Sequence, residues 1–108
     1  MSKELIIGSE LPSFELMDQH GNLRSSEEFR GKKNLVVYFY PKDDTPGCTL
    51  EAKGFRDQYE DFLNYDCEVI GISFDSVESH QNFCSNYELP FVLLSDSKRK
   101  VSKQFGVS

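Results

Sequence analysis

No stretch of the 108 residues is apolar for long enough to span a bilayer, which takes about 20 consecutive residues. The opening residues, Met1-Ser-Lys-Glu-Leu-Ile-Ile7, hold no signal-peptide core of useful length, so the expected location is cytoplasmic. Positive charge is scarce. Twelve Lys and Arg stand against 18 Asp and Glu, a net charge of −6, which argues against nucleic acid and anionic membrane as partners. Cysteines number only three, with no Cys-x-x-Cys pair and no paired metal-ligand spacing. An odd count of this kind suggests thiol chemistry in a reducing compartment rather than a disulfide framework, and no metal or cofactor is expected. Repeats, linkers and low-complexity segments are missing as well. What remains fits one small domain, since 38% hydrophobic and 13% aromatic residues suffice for a globular core.

The residues that are present centre on Tyr38-Phe-Tyr-Pro-Lys-Asp-Asp-Thr-Pro-Gly-Cys-Thr-Leu-Glu-Ala52. Asn34 to Tyr40 is a β-rich apolar run, the pattern of a buried strand. Pro41 has no N–H for a ladder and stops it. Asp43 and Asp44 suit a turn. Thr45 reads as a helix N-cap and Pro46 as the first helical residue, while Gly47 leaves space beside Cys48. Cys48 is thus expected in the first turn of a helix that follows a strand. Unpaired N–H groups and partial positive charge at a helix start favour the thiolate, the nucleophilic form. The Thr45 hydroxyl is placed to donate to the sulfur or to an oxygen beside it. Glu51, one turn on, opposes the anion, so the site calls for a nearby cation. Taken alone, Cys48 also fits a small buried helix residue. The order Pro-Thr-Pro-Gly-Cys favours a presented, reactive thiol.

Elsewhere the pattern alternates strands and helices. Phe14–Asp18 and Asn22–Arg24 predict a hairpin around Gln19-His20-Gly21, with His20 a polar turn residue. Ser25-Ser-Glu-Glu28 supplies a capping box for a short helix ended by Gly31, and Lys32-Lys33 reads as a solvated connector. After the central turn, Cys48, Ala52, Phe55, Tyr59, Phe62 and Leu63 recur at helical spacing and predict one long helix ending near Tyr65. Cys67–Phe74 is the next buried strand. Asp75-Ser-Val-Glu78 opens a helix to about Tyr87, with Val77, Phe83, Cys84 and Tyr87 on one face. His80, on or near that face, takes an ordinary surface or packing role. Pro90–Leu94 is extended, and Asp96 or Ser97 caps a last turn over Val101 to Phe105. Such alternation implies an α/β layered fold with parallel pairing. The reactive loop then lies at the carboxyl end of a strand, where open α/β sheets place their sites.

Pro41-x-x-x-Thr45-x-x-Cys48 resembles the peroxiredoxin active-site motif. The longer string Tyr40 to Ala52 is similar to the Q-type subfamily, also called bacterioferritin comigratory protein. The resemblance runs from Gly8-x-x-x-Pro12-x-Phe14 to Gln104-Phe-Gly-Val107. It implies a thioredoxin-like fold and reduction of hydroperoxides by a peroxidatic cysteine, Cys48. Thr45 and backbone N–H groups would orient the peroxide, and thioredoxin or a similar dithiol would restore the enzyme. Monomer or weak homodimer is the expected state.

The chain departs from that pattern twice. Many Q-type members carry a resolving cysteine five residues after the first, where this chain has Lys53. Others resemble it in placing that cysteine in the following helix, which points to Cys84. Cys84 as a small apolar filler, and Cys48 acting alone with an external thiol, stay open. Cys67 reads as core. The family also continues past Phe-Gly-Val with further strands, a helix and an arginine that completes the site. The expectation is a thioredoxin-like fold lacking those last strands and helix, with an open sheet edge. Arg56 is the nearby candidate for the cation, while Arg99 falls in an exposed cluster. The competing expectation is a non-catalytic thioredoxin-fold remnant that acts by binding or self-association.

Overall fold

The computed structural model describes residues 3–32 and 34–107. Lys33, half of the expected connector, lies outside them. Six strands form one sheet in the order β1-β4-β5-β6-β2-β3. The two expected buried strands are β4 (Asn34–Phe39) and β5 (Cys67–Ser73), the extended stretch after Pro90 forms β6 (Val92–Ser95), and these three run parallel at the centre. The hairpin forms as β2 (Glu15–Asp18) and β3 (Leu23–Ser25), antiparallel to one another, with β2 antiparallel to β6. Gly21 takes φ 77° in its turn, a conformation open to glycine at little cost. The sheet is therefore mixed, not purely parallel.

One strand was not anticipated. Lys3–Ile7 forms β1 and pairs antiparallel along β4, from Lys3 opposite Tyr38 to Ile7 opposite Asn34. The strand that leads to Cys48 is consequently covered on both edges, and the open edges are those of β1 and β3.

Side-chain alternation along β4 divides the core in two. Val36, Tyr38 and Tyr40 face Cys48, Ala52 and Phe55 of α1 (Pro46–Asp57) and Phe83 and Cys84 of α3 (Val77–Tyr87). Leu35, Val37 and Phe39 face Leu11, Phe14, Phe29 and Val101, the last on α4 (Lys100–Gln104). On the first face Tyr38 stacks on Phe55 with ring centroids 4.6 Å apart. Gly71 makes room for it, since a Cβ there would lie 3.0 Å from the Tyr38 hydroxyl and 2.7 Å from Leu93 Cδ2. Truncating a buried aromatic such as Phe55 to alanine costs about 3–5 kcal/mol.

The helix expected to run from Cys48 to Tyr65 is two helices. Gln58, at φ −108° and ψ 8°, separates α1 from α2 (Tyr59–Asn64). The break turns the Tyr59 hydroxyl onto Glu68 at 2.6 Å and seats Phe62 against Phe55, 6.0 Å between centroids. Leu63, assigned to the packing stripe, ends up 40% exposed. The Ser25–Glu28 capping box is present but closes a three-residue 3-10 turn rather than an α-helix. Asp96 caps the start of α4, accepting from the N–H groups of Val101 at 3.2 Å and Ser102 at 2.8 Å. Among the described residues no helix is long and apolar enough to cross a membrane.

Candidate active site

The local sequence explains how Cys48 is placed. Pairing of β4 with β5 reaches one residue past the strand, where the Tyr40 N–H donates to Ile72 O at 3.1 Å. Exposed Pro41 follows at the carboxyl end of β4. Asp44 turns the chain with φ 61°, a left-handed conformation that costs a residue with a Cβ about 1–2 kcal/mol. Thr45 is the N-cap residue and Pro46 the first residue of α1. Cys48 is thus third in the helix. The first bond that closes a turn is Thr49 N–H to Thr45 O at 2.8 Å, so the N–H groups of Gly47 and Cys48 precede the intrahelical ladder.

Thr45 departs from expectation in one respect. Its side chain makes no capping bond, and its hydroxyl donates to Lys42 O at 3.0 Å. The proton is therefore committed to the loop backbone instead of the sulfur, which leaves the oxygen lone pairs to accept. The cation sought for the site is also engaged elsewhere. Arg56 pairs with Asp57 at 3.0 Å and donates to Tyr87 O at 3.0 Å, joining α1 to the end of α3. Lys53, in the position of the usual resolving cysteine, sits over the Tyr87 ring, 5.3 Å from its centroid. Arg99 is exposed as expected and covers the Phe74 ring at 4.1 Å.

The three cysteines are free and buried. Cys48 and Cys84 belong to the same half of the core, in one cluster with Tyr38 and Tyr40. Burial pushes the Cys84 thiol up to about 12, with help from the negative charges of Asp43 and Asp18. Cys67, at the start of β5, is raised by burial and then by Glu68. Among the described residues, the buried Tyr38 hydroxyl has no hydrogen-bond partner. Burial, then Glu51, Cys84, Asp43 and Cys48, raise it well above the usual tyrosine value.

A residue assigned an ordinary role proves central to this region. His80 is fully buried, not at the surface. Its Nδ1 lies 2.7 Å from Asp43 Oδ2 and its Nε2 lies 3.1 Å from Leu94 O. The same Asp43 carboxylate accepts from the Tyr40 hydroxyl at 2.5 Å and the Ser79 hydroxyl at 2.8 Å. The Asp43 N–H donates to Asp75 Oδ2 at 2.8 Å, which also accepts from Ser73 Oγ at 2.7 Å. Burial alone would raise the Asp43 carboxyl, but the bonds from His80, Tyr40 and Ser79 hold it below its ordinary value. Asp43, Asp75 and His80 bring potential metal-ligand atoms within 4.8 Å of one another. Their contacts are already spent on hydrogen bonds that tie the loop to β5, β6 and α3. Helical spacing of residues 80, 83, 84 and 87 was the available signal for a buried histidine. Nothing local marked Asp43 as its partner.

The sequence matches the AhpC/TSA family over residues 7–108. The chain belongs to that family. Its relatives include Q-type peroxiredoxins. It is 55% identical over 100 residues to the chloroplastic peroxiredoxin Q of Sedum lineare, covering 93% of this chain and 53% of that protein. The fold superposes on peroxidoxin BcpB of Mycobacterium tuberculosis with a TM-score of 0.85 at 38% identity, over 89% of this chain and 62% of that one. Peroxiredoxin Q of Xanthomonas campestris gives 0.81 at 35%, over 86% and 58%. The thioredoxin-like peroxiredoxin fold is therefore established. The chain spans about half the length of the plant relative it matches.

Proposed function

We propose that this chain is a thiol peroxidase acting on hydrogen peroxide and organic hydroperoxides. Cys48 attacks the terminal oxygen of ROOH, ROH leaves, and the sulfur becomes a sulfenic acid. The N–H groups of Gly47 and Cys48 supply donors for the charge that develops on oxygen. Thr45 Oγ1, its proton held by Lys42 O, accepts the hydrogen of the bound peroxide. Pro41 ends the strand so that the loop can carry these groups. Cys84 then condenses with the sulfenic acid to a disulfide, and a thioredoxin-like dithiol reduces it. In the Xanthomonas protein both a C48S and a C84S mutant have been solved.

The observation that carries this reading is the position of Cys48 itself, third in a helix that starts at the carboxyl end of β4. The test is peroxide consumption by the 108-residue chain with a dithiol reductant. Turnover by the wild-type chain that falls to background in Cys48→Ser supports it, since the covalent route needs that nucleophile. Equal consumption by both chains rules it out.

A second reading, binding or self-association without turnover, has one observation in its favour. An open cavity of about 540 Å³ between β1 and α1–α2 is lined by Leu5, Val36, Phe55, Phe62, Tyr65 and Cys67, and Leu5 and Tyr65 are 70% and 79% exposed. Apolar surface of this kind marks contact sites. A chain that associates with itself at micromolar concentration yet leaves peroxide untouched would favour that reading. The net charge of −6 supports a protein that binds neither nucleic acid nor anionic membrane.

A further inference from the structure

We propose that His80 and Asp75 are positioning residues for the attack of Cys48 on peroxide, acting through the peptide that joins Lys42 to Asp43. This role rests on the reading of Cys48 as the peroxidatic thiol and asks nothing of Cys84. In the loop between β4 and α1, Pro41, Lys42 and Asp44 are exposed, Thr45 is half-buried, and Asp43 alone is buried. The loop therefore enters the protein through one side chain. The Asp43 carboxylate is held by His80 at 2.7 Å, Tyr40 at 2.5 Å and Ser79 at 2.8 Å. The bond from the Tyr87 hydroxyl to Asp44 is exposed by contrast.

The Asp43 N–H and the Lys42 carbonyl belong to one peptide unit. That unit is planar and trans, so the two groups point in opposite directions. Asp75 Oδ2 accepts from the N–H at 2.8 Å, and Lys42 O accepts from the Thr45 hydroxyl at 3.0 Å. A rotation of this peptide that breaks the first bond also turns the carbonyl away from Thr45. Asp75 pins the peptide directly. His80 pins the side chain of the residue that supplies its nitrogen.

Both pins are fixed from the sheet. The His80 ring is fully buried, and its Nε2 lies 3.1 Å from Leu94 O on β6. Its two nitrogens face oxygen acceptors, so both donate. Asp75 Oδ2 accepts from Ser73 Oγ of β5 at 2.7 Å, and Asp75 O accepts from Ser95 Oγ of β6 at 2.6 Å. The Thr45 hydroxyl is thus oriented by β5 and β6 and not by α1, for which it makes no capping bond. With its hydrogen held by Lys42 O, Thr45 Oγ1 can only accept, as the bound peroxide requires. Neither His80 nor Asp75 needs to touch the sulfur, because a misplacement of about 1 Å from a distant change can cost about 100-fold in rate.

His80→Asn and His80→Gln separate the bond to Asp43 from the bulk of the ring. The asparagine amide stands where Nδ1 stood and keeps a donor toward Asp43, whereas the glutamine amide stands where Nε2 stood and serves Leu94 O. Each reduced 108-residue chain is mixed with hydrogen peroxide, quenched at intervals with a sulfenic-acid-specific reagent and weighed intact. Urea denaturation records that each variant is folded. His80→Asn should form sulfenic acid within about threefold of the wild-type rate, and His80→Gln about tenfold more slowly. Asp75→Ala, at a partly exposed position, should slow the same step by a similar factor. Either slow variant combined with Thr45→Val should fall within about twofold of Thr45→Val alone, because its effect runs through that hydroxyl. A His80→Gln chain that does not fold leaves the decision to Asp75→Ala and its combination with Thr45→Val. Wild-type rates in His80→Gln and Asp75→Ala overturn the positioning role and leave the peroxidase reading standing. Equal slowing by His80→Asn and His80→Gln, or slowing that multiplies with that of Thr45→Val, does the same, since a general loss of rigidity gives both. Absence of sulfenic acid on Cys48 of the wild-type chain overturns the peroxidase reading and the positioning role with it.

Discussion

Cys48 and Cys84 lie in one half of the core and are buried to almost the same degree, 8% and 9% exposed, yet their surroundings are opposite. Cys48 stands at the opening of a helix, after a loop whose Pro41, Lys42, Asp44, Pro46 and Gly47 are exposed. The N–H groups of Gly47 and Cys48 there precede the intrahelical ladder. Cys84 stands mid-helix beside fully buried His80 and Phe83, where burial first, and then the charges of Asp43 and Asp18, raise its thiol to about 12. Burial alone does not decide what a cysteine does. The difference lies in whether it stands at the start of a helix or within one, and which charges face it.

The largest break in that comparison is expected from Cys84→Ser. In the proposed cycle it abolishes the intramolecular disulfide, so Cys48 persists as sulfenic acid and passes to sulfinic acid under excess peroxide. Intact mass after oxidation gains two oxygens per chain, where wild type loses two hydrogens.

Next in size is Asp43→Asn. It leaves His80, Tyr40 and Ser79 facing a neutral amide in a buried site, at a cost of about 1.5–3 kcal/mol for hydrogen bonds that had a charged partner. The effect depends on pH with a definite sign. Asp43 and Asp18 are both held below the ordinary value of 3.8 in the folded state. Near that pH the unfolded chain binds more protons than the native one, so stability is full above it and falls as pH drops through the folded values. Urea denaturation from pH 6 down to pH 2.5 should show a shallower acid loss for Asp43→Asn than for wild type. An unchanged slope would mean that Asp43 contributes nothing to it.

The strand–turn–helix of residues 34–52 could be read because its signals are local: β-branched and aromatic residues, then proline, a cap and a glycine. The hairpin and the Asp96 cap were legible for the same reason. The Asp43–His80 contact was not, because its partners are 37 residues apart and neither carries a local mark of the other. Strand β1 carries a weak signal because Leu5 and Ile7 remain exposed on it and Ile6 is partly buried against the core, so a continuous apolar run conceals the alternation. Its pairing depends on the edge that β4 offers. Helical spacing from Cys48 to Leu63 concealed the break at Gln58, since Tyr59 and Phe62 keep the period while the axis changes. Thr45 was placed correctly as N-cap, but its hydroxyl turned to Lys42 O, a choice set by the loop conformation.

Arg56→Ala sharpens the comparison from the other side. Its partly exposed guanidinium links α1 to Tyr87 O, so its loss should cost about 1 kcal/mol of stability and leave sulfenic acid formation at Cys48 within about twofold. A hundredfold slower oxidation would place Arg56 at the sulfur, since that is the scale of losing one charge-stabilising donor. The smallest effect is expected from Cys67→Ser. That thiol lies at the start of β5 and makes a long contact, 3.8 Å, to Glu68 O. The substitution should shift stability by about 1 kcal/mol and leave peroxide turnover intact.

The most direct measurement of the contrast between the thiols is site-resolved trapping of the first oxidation. The fully reduced 108-residue chain is treated with one equivalent of hydrogen peroxide in the presence of a sulfenic-acid-specific reagent, digested, and mapped by mass spectrometry. The label is expected on Cys48 first, with Cys67 and Cys84 unlabelled at early times. Label appearing first on Cys67 or Cys84 while Cys48 remains a thiol would contradict the account.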